Sequence, residues 1–168
     1  MINRIFRYSV IYILLILFQV LILNNIQLSG YANPFAYILF ILLLPVETAG
    51  WLLIVLGFLA GLIVDLFMGS PGMHASASAA AAFARPVVLR SMAPRDGYEP
   101  DAEPSMAQYG FRWFATYTFI IVALHHIVLF YVEVMDLTDI AGIMLRVFLS
   151  TLFSTLMILM IEYFRKGR

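Results

Sequence analysis

Residues 57–74 read GFLAGLIVDLFMGSPGMH. An acid, closely spaced glycines, a proline and a histidine lie together here at the end of a long apolar run. An aspartate inside an apolar membrane helix is costly, by about 2.5–3.5 kcal/mol at the helix centre. Asp65 therefore requires a structural or functional reason, and the interpretation of the chain depends on what this polar interruption does.

Composition places the chain among integral membrane proteins. Hydrophobic residues make up 63% of the 168 residues and charged residues 12%, whereas soluble domains have about 45–50% and about 25%. The net charge is zero, which gives no indication of nucleic-acid binding, and the absence of cysteine excludes disulfide and thiol chemistry. No small-residue cleavage site follows the first apolar run, so the sequence predicts a retained helix there rather than a signal peptide.

Hydropathy and helix-breaking residues predict an all-α, polytopic membrane bundle that forms a single domain over residues 1–168. Six transmembrane helices are predicted, at residues 8–26, 31–46, 48–68, 73–89, 111–134 and 140–164. The second is barely long enough to span, and Pro34 suits its first turn. The fourth is rich in alanine, which predicts close packing inside the bundle. The charged, proline-broken loop at 90–110 is expected to be solvated and partly disordered.

The basic residues predict which ends of the helices are cytoplasmic. Six crossings bring nine of the ten Lys and Arg residues to one side, namely Arg4, Arg7, Arg85, Arg90, Arg95, Arg112, Arg165, Lys166 and Arg168. The positive-inside rule makes this side cytoplasmic, together with both termini. A four-span arrangement with re-entrant second and fourth segments gives the same pattern and stays open, although the length of the fourth segment favours six.

The glycines of the opening stretch predict a packing face. Gly57, Gly61 and Asp65 recur at four-residue steps and therefore share one side of the third helix. A GxxxG pattern in an apolar span permits close approach of a second helix. We expect this face to pack on the alanine-rich fourth helix, with homodimerisation as the less favoured alternative.

The break after this helix is formed by Gly69, Pro71 and Gly72, and it predicts a tight reversal between the third and fourth helices. His74 follows the break. It is expected to act as a weak N-cap of the fourth helix or to form a hydrogen bond with Asp65, and a proton-sensing role is a less favoured alternative.

Two arrangements are open for the Asp65 carboxylate. Arg146 is the one basic residue outside the cytoplasmic clusters, and helix rise places it at a similar depth, near the outer face. The first arrangement is an ion pair or shared polar cluster of Asp65 and Arg146. In the second, Asp65 accepts hydrogen bonds from backbone amides near the break, while Arg146 extends to the outer headgroups.

The known catalytic signatures are absent from the sequence. It contains no HExxH, P-loop or dinucleotide motif, and Ser76 and Ser78 lack the flanking glycines of a nucleophile elbow. His125 and His126 are adjacent, so their side chains point about 100° apart on a helix, which favours separate polar contacts over a shared metal ion. The sequence therefore predicts a protein that is not an enzyme and that has no cofactor or metal.

The layout and the opening stretch resemble the rod shape-determining MreD family. In that family the third helix ends in a Gly-apolar-Asp-Leu stretch, followed by a small-residue break and a residue such as His or Asn. The matching positions are Gly61, Asp65, Leu66, Gly69, Pro71, Gly72 and His74. The resemblance covers the layout of the whole chain. It implies a scaffold of the cell-elongation and peptidoglycan-synthesis machinery in the bacterial cytoplasmic membrane, with MreC, MreB, RodA and a penicillin-binding transpeptidase as partners.

A solute-binding membrane subunit is the alternative function, because six-helix chains of this size resemble the vitamin-binding components of energy-coupling transporters. A transporter is expected to have polar groups that converge at the membrane midplane and helices that are broken there. In this sequence the break lies at a helix end and the acid lies toward the outer face, which favours the scaffold.

Overall fold

The computed structural model describes residues 2–25, 33–135 and 139–166, and all regular secondary structure within these ranges is helical. The helices are α1 (Ile2–Leu21), α2 (Leu39–Leu43), α3 (Gly50–Met68), α4 (Met73–Ser91), α5 (Met106–Tyr109), α6 (Phe111–Val134) and α7 (Ile140–Lys166), with a 3₁₀ turn at Leu23–Asn25. Four helical stretches of the described residues are long and apolar enough to cross a membrane: Phe6–Asn25, Gly50–Met68, Phe111–Val134 and Ile140–Arg165. The chain is therefore a helical membrane protein.

The outward surface of these four helices is apolar, as a bilayer requires. Large side chains such as Leu14, Trp51, Leu66, Phe111 and Phe148 are each more than half exposed on the isolated chain. Hydrocarbon around the bundle removes this surface from water, so the exposure is consistent with insertion in a membrane.

The helix predicted at residues 31–46 is wrong for the residues that the structure describes. Only α2 is helical between residues 33 and 48, which we call the central segment. All eleven side chains from 34 to 44 are buried, so the central segment forms the middle of the bundle. Non-helical backbone is tolerated at membrane depth only where protein or water satisfies its polar groups.

Side chains from α1 and α7 form hydrogen bonds with the backbone groups in the first part of the central segment. The Gln19 side chain accepts a hydrogen bond from the Ala36 amide at 2.8 Å and donates one to the Pro34 carbonyl at 3.1 Å. Ser150 Oγ accepts from the Asn33 amide at 3.1 Å, and Ser154 Oγ accepts from the Phe35 amide at 2.8 Å. Each of these polar residues lies in an apolar helix, and its partner is the backbone of the central segment.

Arg85 of α4 forms hydrogen bonds with the backbone carbonyl groups at the other end of the central segment. Its side chain is fully buried, and its guanidinium donates hydrogen bonds to the carbonyl oxygens of Leu44, Pro45 and Leu42. Its Nε donates to the Tyr117 hydroxyl at 2.8 Å. Arg85 is therefore an internal donor to backbone and not one of the exposed charges.

α4 lies inside the bundle, as its alanine content predicts. It packs against α3 on one side and α6 on the other, and α6 in turn packs against α7. Ala75, Ala77, Ala81 and Ala82 are fully buried between these neighbours, whereas Phe83 is exposed on the opposite side. α4 therefore connects the α3 and α6 layers, and it is 19 residues long.

One end of the bundle, which we call the basic end, is closed by four charged residues. Glu103 pairs with Arg7 near the start of α1 and with Arg165 near the end of α7, the latter at 2.9 Å. Arg165 also pairs with the fully buried Glu162 at 2.6 Å. Glu162, although it lies near the end of α7, is therefore not a solvated helix end but an internal partner of Arg165.

The loop after α4 is folded onto the basic end, contrary to the expectation of a solvated, partly disordered linker. Residues 102–105 are buried, and the Ala102 carbonyl accepts a hydrogen bond from the Val46 amide at 2.9 Å. Tyr98 donates to the Leu89 carbonyl at 2.6 Å, and the Trp113 indole donates to the Met92 carbonyl at 2.8 Å. Aromatic side chains and backbone contacts thus hold the loop, despite its charge and its prolines.

Candidate functional site: the capped hairpin of α3 and α4

Asp65 caps the N-terminus of the neighbouring helix. Its carboxylate accepts hydrogen bonds from the backbone amides of Gly72, His74 and Ala75 at 3.1, 2.9 and 2.9 Å. The Ser70 hydroxyl and the His74 ring nitrogen Nδ1 lie 2.9 Å from the same carboxylate. The first amides of a helix have no partner within the helix, and a negative charge at this end is favoured by the helix dipole. The cost of a buried acid is thus offset by five contacts.

The reversal between α3 and α4 uses glycines at the two positions that bend the backbone. Gly69 has φ +66° and terminates α3, with its amide donating to the Asp65 carbonyl. Gly72 has φ +86° and precedes the first residue of α4. Both values lie in the left-handed region, which residues with a Cβ adopt at a cost. Pro71 lies between these two glycines, so the predicted tight reversal is confirmed.

Gly57 and Gly61 form the face of α3 on which α4 packs, as predicted. A Cβ at Gly57 would lie 2.8 Å from the Ser78 carbonyl oxygen and 2.9 Å from the Ala82 Cβ. A Cβ at Gly61 would lie 2.6 Å from the Ala75 Cα and would overlap the His74 carbonyl. The contact is between backbones, so neither helix can relieve it by a side-chain rotation.

Gly61→Ala is expected to lower the free energy of unfolding by about 1–3 kcal/mol, because the added methyl group forces α3 and α4 apart. The measurement is unfolding of the purified protein in mixed detergent and SDS micelles. Gly50→Ala is the matched control, since a Cβ at Gly50 meets nothing within 4 Å. Equal effects of the two substitutions would contradict the close contact.

His74 lies between the hairpin and the core of the bundle. Its Nδ1 donates to Asp65, because a carboxylate oxygen only accepts, and its buried Nε2 has no hydrogen-bond partner among the described residues. The ring of Phe35 contacts it edge-on at 5.0 Å between centroids. The predicted hydrogen bond between His74 and Asp65 is therefore confirmed.

Polar side chains from the central segment, α4 and α6 continue inward from His74. The Tyr37 hydroxyl lies 2.8 Å from Ser78 Oγ and 2.7 Å from His125 Nε2. His126 Nδ1 donates to the Val122 carbonyl at 2.8 Å. The two adjacent histidines therefore make separate contacts, as their spacing predicts. Among the described residues, no group of three or more His, Cys, Asp or Glu side chains is arranged to hold a metal ion.

Arg146 takes no part in the Asp65 site, so the proposed Asp65–Arg146 ion pair is wrong. Arg146 pairs with Glu133 at the end of α6, at 2.9 Å, and its guanidinium lies 4.6 Å from the centre of the Phe130 ring. The second arrangement is correct for Asp65, which binds backbone amides. Glu133, near the end of α6, is exposed and is the partner of Arg146.

An apolar groove of about 540 Å³ runs between α1, the central segment and α3. Its walls include Phe40, Leu44, Leu52 and Ile63, and the hydroxyl-bearing residues Tyr8, Ser9, Tyr12 and Thr48 also line it. We call it the α1–α3 groove. Its volume is in the range of sites that take a ligand or a partner side chain.

The apolar helices and the capped hairpin define the chain as a helical membrane bundle in which a buried carboxylate caps a neighbouring helix. Comparison of the chain with known proteins found no matching family model, no matching curated protein and no matching solved structure.

Proposed function

We propose that the chain is a non-enzymatic membrane scaffold of the bacterial cell-elongation machinery, as its resemblance to the MreD family implies. The observation that carries this proposal is the use of the Asp65 carboxylate. Five donors surround it, three of them backbone amides of the hairpin. A carboxylate held in this way shapes the bundle, and a general acid or base needs a free position toward a substrate.

The partners in this proposal are MreC, MreB, RodA and a penicillin-binding transpeptidase, and the location is the bacterial inner membrane. The α1–α3 groove supports a docking role, because its apolar walls open at the side of the bundle between two candidate membrane helices. Helices associate in membranes through close van der Waals packing, for which such a groove is suited.

The proposed topology has both termini in the cytoplasm and six passages of the chain through the bundle. Its support is that Arg7 and Arg165, near the two ends of the chain, both pair with Glu103. The central segment and α4 carry the chain back between the four long helices. The basic end also holds Arg90, Arg95 and Arg112, which the positive-inside rule assigns to the cytoplasm.

Single cysteines test this topology directly, because the chain has none of its own. Asp139→Cys is expected to react with a membrane-impermeant maleimide added to intact spheroplasts, whereas Asp96→Cys is expected to react only after lysis. Asp96 and Asp139 are both exposed, so accessibility within the fold is matched. Labelling of Asp96→Cys in intact spheroplasts would contradict the proposed orientation and indicate the opposite one.

Depletion of the protein tests the function. Rod-shaped cells of the source bacterium are expected to become round on depletion and to recover on re-expression of the wild-type chain. MreC is expected to co-purify with the wild-type chain from detergent extracts. Cells that remain rods after full depletion, with no MreC in the purified material, would refute the scaffold function.

The same purification distinguishes the scaffold from the alternative function, a solute-binding subunit of a transporter. A transporter subunit retains a small molecule through purification, detectable by mass spectrometry of the denatured protein. Retained ligand without MreC would favour the alternative.

A further inference from the structure

The α1–α3 groove has a polar end and an apolar body. Tyr8 and Ser9, in the second turn of α1, lie at its polar end with Thr48, which precedes the start of α3. This is the basic end of the bundle, because the neighbouring Arg7 pairs there with Glu103. The apolar body is formed on α3 by one stripe of lining residues, which we call the α3 stripe: Leu52, Leu56, Leu59, Ala60 and Ile63.

The α3 stripe has the length of one leaflet of a bilayer. Leu52 and Ile63 are eleven residues apart, and a rise of about 1.5 Å per residue places them about 16 Å apart along the helix. The hydrocarbon core is about 30 Å thick, so each leaflet contributes about 15 Å. A single acyl chain that begins at the polar end of the groove therefore extends along the whole stripe.

Arg7 brings positive charge to the polar end of the groove. It lies at the start of the candidate membrane span Phe6–Asn25, and its guanidinium carbon is 5.1 Å from the centre of the Tyr8 ring. Its Nη2 donates to the Tyr8 hydroxyl at 3.3 Å and also pairs with Glu103. Its Nε and Nη1 have no hydrogen-bond partner among the described residues, and the side chain is about half exposed. A guanidinium with unused donors at this depth is suited to bind a phosphate group.

We propose that the α1–α3 groove binds one phospholipid from the leaflet at the basic end, with its phosphate at Arg7 and one acyl chain along the α3 stripe. The acyl chain leaves hydrocarbon to enter the groove, so it gains no hydrophobic free energy there. The charge-assisted contact at Arg7 and the close packing of the chain on the groove walls hold the lipid instead. This site does not depend on the proposed scaffold function. The lipid fills the groove in the free chain, and a partner helix that docks there replaces it.

The binding test uses the full chain, purified in dodecyl maltoside and depleted of lipid by washing. The probe is palmitoyl-oleoyl-phosphatidylglycerol, and native mass spectrometry counts the lipid bound to each chain during a titration. The control lipid is the diacylglycerol with the same acyl chains, which lacks the phosphate. One phosphatidylglycerol is expected to bind about tenfold more tightly than the diacylglycerol, as for one charge-assisted contact.

Three substitutions locate the phosphate. Arg7→Gln is expected to weaken phosphatidylglycerol binding about tenfold and to leave diacylglycerol binding unchanged. Glu103→Gln also breaks the ion pair of Arg7 but keeps the guanidinium, so it is expected not to weaken binding. Arg112→Gln is the matched control for charge, because Arg112 is an exposed arginine at the start of α6 and outside the groove lining. It is expected to leave the affinity unchanged.

A second pair of substitutions locates the acyl chain. Leu56→Trp is expected to weaken the binding of both lipids, because the larger ring occupies the groove in the middle of the α3 stripe. Val55→Trp is the matched control, since Val55 is the adjacent residue, is exposed and lies outside the groove lining. It is expected to leave the binding of both lipids unchanged.

Four results would overturn the proposal. Equal affinities for phosphatidylglycerol and diacylglycerol, or equal effects of Arg7→Gln and Arg112→Gln, would refute the phosphate contact. Equal effects of Leu56→Trp and Val55→Trp would show that the lipid is spread around the bundle rather than held in the groove. No phosphatidylglycerol bound to the wild-type chain at millimolar lipid would leave the groove to a partner helix.

Discussion

Asp65→Ala is expected to lower the free energy of unfolding by about 3–6 kcal/mol, among the largest effects of any single substitution in this chain. The substitution leaves the amides of Gly72, His74 and Ala75 without their acceptor. The His74 and Ala75 amides are buried, and each buried donor left unsatisfied costs about 1–3 kcal/mol. Unfolding in mixed detergent and SDS micelles measures the change.

Asp139→Ala is the matched control for this prediction. Asp139 also accepts a hydrogen bond from a helix-start amide, that of Gly142 at 3.0 Å, but it is exposed and has one such contact. Its loss is expected to cost about 1 kcal/mol. Asp65→Asn retains the shape of the side chain and places an amide group against backbone donors, so we expect it to be nearly as destabilising as alanine. Stability of Asp65→Ala equal to that of Asp139→Ala would contradict the capping role.

The α3–α4 hairpin could be predicted from the sequence because its determinants are local. Gly57, Gly61 and Asp65 lie on one face at four-residue spacing, and Gly69 and Gly72 mark the turn a few residues later. Helical periodicity and turn chemistry act over this short range, so the sequence pattern contains the packing face and the reversal. The motif that carries the resemblance to the MreD family lies in the same stretch.

The central segment could not be predicted because its conformation depends on distant residues. Its apolar run is typical of a membrane helix by hydropathy alone. The groups that permit a non-helical backbone there are Gln19 on one side of it in the sequence and Arg85, Ser150 and Ser154 on the other. The available signal was the presence of these polar side chains within apolar helices, where each needs a partner.

The error at Arg146 has a different cause. Helix rise gives the distance of this residue from the start of α7, but that distance does not determine which neighbour its side chain faces. The Arg146 side chain is directed toward α6, where it forms an ion pair with Glu133 and lies over the Phe130 ring. α7 packs on α6 rather than on α3, and this arrangement of helices around the bundle is set by tertiary packing.

Arg85→Met is the second prediction with a large effect, and we expect a loss of about 2–4 kcal/mol in the free energy of unfolding. Methionine removes the donors to the Leu44 carbonyl and to the Tyr117 hydroxyl. In this variant the Pro45 carbonyl still accepts a hydrogen bond from the Thr48 amide, and the Leu42 carbonyl still accepts one from the Tyr117 hydroxyl. The carbonyl left without a donor is that of Leu44. An orphaned buried carbonyl costs about 1–3 kcal/mol, and charge-assisted hydrogen bonds contribute about 1.5–3 kcal/mol each.

Relief of the buried charge opposes this loss in Arg85→Met. No carboxylate in the described part of the chain forms an ion pair with Arg85, so its removal recovers desolvation free energy, as in buried ion pairs replaced by apolar residues. We expect the unsatisfied Leu44 carbonyl to outweigh this gain, because no other group of the described residues donates a hydrogen bond to it. Arg90→Met, one turn further along α4 and exposed, is the control and is expected to change stability by less than about 0.5 kcal/mol. An Arg85→Met protein as stable as Arg90→Met would show that the central segment holds its conformation through apolar packing alone.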